Sequence, residues 1–198
     1  MYDMKRIATL AVGLVLLAAA GVPASAHVGG GAVAGGFGAG FTHPLGGLDH
    51  VVAMLAVGLW GAFLGPPAVW LLPVVFPLVM AFGGVLGAAG VPVPSVEIGI
   101  ALSAVVLGLL VAGRARPPLW VAALIVGAFA IFHGHAHGSE LPAGANALAY
   151  SAGFVVATGL LHLAGIALSL LKRWTAGEWA VRAGGLAISL AGVAFLLR

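Results

Sequence analysis

Two short segments hold most of the side chains that could do chemistry. The first is His43-Pro44-Leu45-Gly46-Gly47-Leu48-Asp49-His50, followed by Met54. The second is Phe132-His133-Gly134-His135-Ala136-His137-Gly138-Ser139-Glu140. Both lie in strongly apolar surroundings, where polar side chains are expensive and so are functional candidates. Imidazole and carboxylate together suit Ni²⁺, Zn²⁺, Co²⁺ or Mn²⁺. Cysteine is absent, which excludes thiolate sites, disulfides and Cys nucleophiles. Pro44 suits the first position of a helix, with His43 just before it. His43, His50 and Met54 then lie along one helix face. Asp49, rotated by about a third of a turn, either ligates from the side or holds an imidazole in its ligating tautomer. If a helix continues through the second segment, His133, His137 and Glu140 share a face and His135 points elsewhere. Two His at i, i+4 is a chelating spacing. The competing reading is a solvated His-rich loop. The shortness of the segment and the Glu in register weigh against it. The metal-ligand set is therefore His43, Asp49, His50, His133, His137 and Glu140.

Three further residues join this set more loosely. Glu97 opens an apolar stretch, either as a ligand or as a carboxylate favoured by a helix start. His162 sits well inside another apolar stretch. It reads as an inner ligand, a proton carrier or a hydrogen-bond donor to a neighbouring helix. His27 follows Ala24-Ser25-Ala26, a small-x-small cleavage pattern. Cleavage there would expose an α-amine beside an imidazole, a two-nitrogen chelate for Ni²⁺ or Cu²⁺. The alternative is that His27 merely follows the cut. Ser103 and Thr158 read as packing residues, and Asn146 as a helix start.

The elements that must position these residues are membrane helices. The chain of 198 residues is 62% hydrophobic and 7% charged, too few charges to cover a soluble domain, which typically carries about 25%. The 32 glycines suit close approach of membrane helices. No basic run exceeds two residues, which argues against nucleic acid. Lys5 and Arg6, the apolar stretch from Ile7 to Ala20 and the Ala24–Ala26 site form a cleavable signal peptide over residues 1–26. An uncleaved first helix is the other reading. Residues 27–198 then form one all-α membrane bundle of about six spans. They run near Pro44–Leu64, Trp70–Ala89, Ser95–Gly113, Leu119–His133, Ala145–Leu171 and Glu178–Leu197. Val28–Thr42 is too rich in Gly and Ala to read as a helix and is expected to lie against the outer face. An exported N-terminus puts Arg114, Arg116, Lys172 and Arg173 on the cytoplasmic side, as the positive-inside rule requires. Both mature termini then lie outside a bacterial inner membrane. The two motifs and Glu97 reach the same outer face.

At these motifs the sequence resembles the HupE/UreJ family of membrane accessory proteins of nickel hydrogenase and urease systems. That family shows H-P-x-x-G-x-D-H, matched by His43, Pro44, Gly47, Asp49 and His50. It also shows F-H-G-x-x-x-G-x-E, matched by Phe132, His133, Gly134, Gly138 and Glu140. The resemblance implies secondary transport of Ni²⁺, with Co²⁺ or Zn²⁺ as further substrates and no organic cofactor. The residues alone give a divalent metal; the choice of nickel comes mainly from the family. Other readings are a non-transporting metal-binding accessory subunit and a haem protein with His50 and His162 as axial ligands. A non-family reading is an intramembrane hydrolase, although no G-x-S-x-G motif supports a serine enzyme.

Overall fold

The computed structural model describes residues 36–141, 144 and 146–198. The signal segment and His27 lie outside them. The described residues form seven α-helices and no strand. These are α1 (Phe37–Gly46), α2 (Leu48–Leu64), α3 (Ala68–Ala88), α4 (Val96–Ala112), α5 (Leu119–Ser139), α6 (Ala147–Ser169) and α7 (Thr175–Leu196). A 3-10 turn at Leu170–Arg173 joins the last two. Four helices, α3, α5, α6 and α7, are long and apolar enough to cross a membrane. The pair α1–α2 meets the same measure as a unit but is bent by 86°. Helix α4 is a shorter apolar helix. The outward faces carry Trp70, Leu78, Val85, Leu124, Leu160 and Leu190, all exposed, a surface that suits lipid rather than water.

Helices α3 and α5 pack as one pair, α4 and α7 as a second, and α6 packs on both α1 and α2. Glycine makes these approaches possible. A Cβ at Gly134 would meet the Met80 carbonyl, and one at Gly138 the Gly84 carbonyl. The two glycines of the second motif thus seat α5 on α3. At the α2–α6 contact, Gly58 lies against the His162 carbonyl and Gly165 against that of Leu55. Small residues at such crossings let apolar helices gain close van der Waals contact in lipid. The core between the pairs holds Met54, Trp60, Leu72, Phe76 and Leu107. Three arginines gather around the C-terminal end of α2. Arg114 pairs with Glu178, Arg116 lies 4.8 Å over the Phe63 ring, and Arg182 Nε donates to the Ala112 carbonyl.

Three expectations change. Phe37–Gly46 is a helix, where Val28–Thr42 had been expected to form none. Phe37 and Phe41, one turn apart, stack at 6.3 Å, and Gly40 and Gly153 let the helix close onto α6. Pro44 consequently lies inside α1, not at the start of the next helix, and α2 begins after Gly47. A proline there removes one backbone donor and crowds the preceding turn, so the helix ends soon afterwards. His43 and His50 therefore sit on two helices rather than along one face. Helix α5 also runs past the expected end at His133, through Ser139.

Candidate metal centre

The bend between α1 and α2 decides the geometry of the site. On one straight helix, seven residues rise about 10 Å, too far for two imidazoles to reach one partner side by side. Across the bend, His43 and His50 approach His137 from two sides. His43 Nε2 is 2.8 Å from His137 Nδ1, and His50 Nε2 is 3.0 Å from His137 Nε2. The extension of α5 by a further turn and a half brings His137 above His133. His133 Nδ1 is 2.9 Å from His50 Nδ1. On the far side of His133, its Nε2 is 2.9 Å from Ser103 Oγ on α4. Ser103 in turn donates to the Ile100 carbonyl at 2.6 Å.

The result is a continuous file of polar atoms. It begins at Glu140, whose side chain is 56% exposed, and passes through His43, His137, His50 and His133 to Ser103. His133 and Ser103 are fully buried. Four helices contribute: α1, α2, α4 and α5, with Glu140 as the residue that ends α5. Buried polar groups normally require such pairing.

At the open end, His43 Nε2, His137 Nδ1 and Glu140 Oε2 form a triangle with sides of 2.8, 3.3 and 3.9 Å. Nitrogen and oxygen ligands held about 2.0–2.2 Å from a metal ion span separations of this size. These three residues could hold one divalent ion. The triangle opens on a cleft of about 340 Å³ that is also lined by Asp49, His50 and Glu97. The cleft therefore brings two more carboxylates within range of an arriving cation. Asp49 Oδ1 accepts the backbone N–H of His50 at 2.7 Å, so the carboxylate bonds the chain rather than the imidazole. Phe154 walls the file, its ring centre 4.5 Å from that of His137 and 5.6 Å from that of His50.

Two histidines stand outside the file. His135 Nε2 donates to the Val91 carbonyl at 2.8 Å, on another side of α5, as its spacing predicts. His162 is buried on α6, beyond the Phe76 ring, and neither of its nitrogens has a hydrogen-bond partner. Sequence reasoning took Ser103 for a packing residue and did not single out Phe76 or Phe154. For Ser103 a signal existed, a hydroxyl in the middle of an apolar helix. For the two phenylalanines there was none, since an aromatic residue in an apolar stretch is ordinary.

The chain matches the family described as HupE / UreJ protein over residues 14–195. It is 50% identical over 181 residues to "Protein HupE" of Rhizobium leguminosarum bv. viciae, covering 91% of this chain and 95% of that protein. No solved structure matches it.

Proposed function

The chain belongs to the HupE/UreJ family, and from that premise we propose that it carries Ni²⁺ across the inner membrane to supply a nickel enzyme such as a hydrogenase or urease. Co²⁺ is a second substrate on the same donor chemistry. The observation that carries this reading is the file of imidazoles leading from a carboxylate-lined cleft into the bundle. Carboxylates at the mouth attract the hydrated cation. His43, His137 and Glu140 replace part of its water, and His50 and His133 offer further nitrogens deeper in. Ligand sites in series, none of them closed, allow an ion to enter and also to leave. Protonation of imidazole and carboxylate weakens metal binding and would aid release.

The topology that accompanies this reading is a cleaved signal peptide over residues 1–26 and six spans, with α1–α2 as the broken first span. The cleft and both mature termini face the periplasm, and the arginine cluster around Phe63 faces the cytoplasm. In support, His50 and Phe63 stand near opposite ends of α2, about 20 Å apart along its axis. A secondary carrier is favoured over a pump because the sequence holds no ATP-binding motif. The haem reading gains nothing, since the His50 ring is enclosed by those of His133, His137 and Phe154.

Purified full-length protein in liposomes provides the test. It should take up Ni²⁺ down a gradient, with Co²⁺ competing and Mg²⁺ inert. Protein that binds Ni²⁺ stoichiometrically but moves none would be a metal-holding accessory subunit instead.

A further inference from the structure

Ser103 has a single hydroxyl proton, and the hydrogen bonds around it determine where that proton goes. The Ile100 carbonyl, 2.6 Å away, can only accept, so the Ser103 proton is spent there. The hydroxyl lone pairs then face His133 Nε2 at 2.9 Å, and His133 must donate from Nε2. A neutral imidazole protonated on Nε2 has a bare Nδ1. His133 Nδ1 therefore accepts, and its partner at 2.9 Å, His50 Nδ1, is the donor. His50 is left with a bare Nε2; His137 Nε2 lies 3.0 Å from it and 3.1 Å from His50 Nδ1, between the two rather than on one lone pair, so the series ends at His50.

We infer that Ser103 is a positioning residue that sets the tautomers of His133 and His50 in series, so that His50, which lines the cleft, keeps Nε2 unprotonated as a metal ligand. A metal ion binds the lone pair of a neutral imidazole, and the hydrogen bond on the other ring nitrogen decides where that lone pair lies. In most metal sites one ligand has one such partner. Here the information passes through two rings, from a hydroxyl at the closed end to a His50 nitrogen beside the cleft. Asp49 does not compete for the rings, because its Oδ1 is bonded to the His50 backbone. The consequence for metal capture rests on the proposed transport role; the tautomer pattern does not.

The distinctive residue is His50, which carries its proton on Nδ1 while His133 carries its proton on Nε2. Nitrogen NMR on the ¹⁵N-histidine-labelled full chain, metal-free in lipid nanodiscs, reads this directly, with each ring assigned by single His→Gln variants. Wild type should show the Nδ1–H form at His50. Ser103→Ala fits the same space and should lose that form, and Ser103→Thr, which keeps the hydroxyl, should restore it. Equilibrium Ni²⁺ affinity should fall about tenfold in Ser103→Ala, as for loss of an outer-shell partner, and recover in Ser103→Thr. An Nε2–H form at His50 in wild type, or an Nδ1–H form that persists in Ser103→Ala, overturns the inference. Should wild type show the predicted tautomers yet bind no Ni²⁺, the metal reading falls and the role of Ser103 in setting the tautomers stands.

Discussion

His133 and His162 are the same side chain in closely similar settings. Each is at most 1% exposed, and each has the Phe76 ring centre 5.6 Å from its own. Yet both nitrogens of His133 are paired, one with His50 and one with Ser103, while neither nitrogen of His162 has a partner. Phe76 thus stands between a satisfied imidazole and an unsatisfied one. A buried polar atom left unpaired carries a penalty of about 1–3 kcal/mol, and a paired one is close to neutral. The polar file therefore stops at Ser103 for a structural reason: beyond Phe76 nothing among the described residues continues it. The outer region is a cooperative network, in which one lost member leaves others unpaired. The inner region is a single group, and its loss strands nothing.

The largest expected effect breaks the network at its centre. His50 touches both His137 and His133, so His50→Ala interrupts the file and leaves two buried nitrogens unpaired. Ni²⁺ binding should weaken by about a hundredfold, the upper range for disturbing a site's supporting contacts, and uptake into liposomes should be lost. Asp49→Ala should also abolish uptake, through loss of the cleft carboxylate and of its bond to the His50 backbone. Both variants must first reach the membrane in wild-type amounts. Normal accumulation with wild-type uptake would dissolve the contrast between the two regions as far as transport is concerned.

A paired experiment on stability sharpens the comparison further. His133→Leu leaves Ser103 Oγ and His50 Nδ1 each without a partner and should destabilise the protein by about 2–3 kcal/mol. His162→Leu removes two unsatisfied nitrogens and strands no neighbour. It should lie within about 0.5 kcal/mol of wild type, or be more stable, because replacing an unpaired polar group with an apolar one recovers its desolvation penalty. Thermal unfolding in one detergent, with equal loading, reads both. Equal losses in the two variants would show that His162 has a partner in the folded protein.

Much of the outer region was legible in the sequence because its signals are local. Histidine and glutamate in apolar stretches stand out, and the i, i+4 spacing of His133 and His137 predicts a shared face, which α5 provides. The exclusion of His135 from that face followed from the same spacing. The bend at Gly47 was not legible. Pro44 fits a helix start as well as a helix end, and the choice depends on α6 receiving Gly40, a contact more than a hundred residues away in sequence. Nor was the link from Ser103 to His133, which joins α4 to α5 and has no signature in either helix alone. The family match extends the reading of the motifs over most of the chain, but it does not by itself tell which nitrogen meets which.

His135 gives the smallest expected effect on transport and calibrates the other two. Like His133 it lies on α5, but it is half-buried and makes one bond, from Nε2 to the Val91 carbonyl in the segment that follows α3. Removing it strands one carbonyl oxygen that can be reached by water near the end of the helix. Truncation should therefore lose a single ordinary hydrogen bond, about 0.5–1.5 kcal/mol, less than the loss for His133. None of its atoms belongs to the file or the triangle, so Ni²⁺ affinity and uptake in His135→Ala should stay within about twofold of wild type, below the 10–100-fold effects of residues that support a metal site. The ratio of the two readouts is what matters. A variant that loses stability without losing uptake marks a histidine that only ties helices together. If His135→Ala instead lowers uptake as far as His50→Ala while unfolding normally, the ion does not follow the file through His137 and His50, and the path must run along the other side of α5.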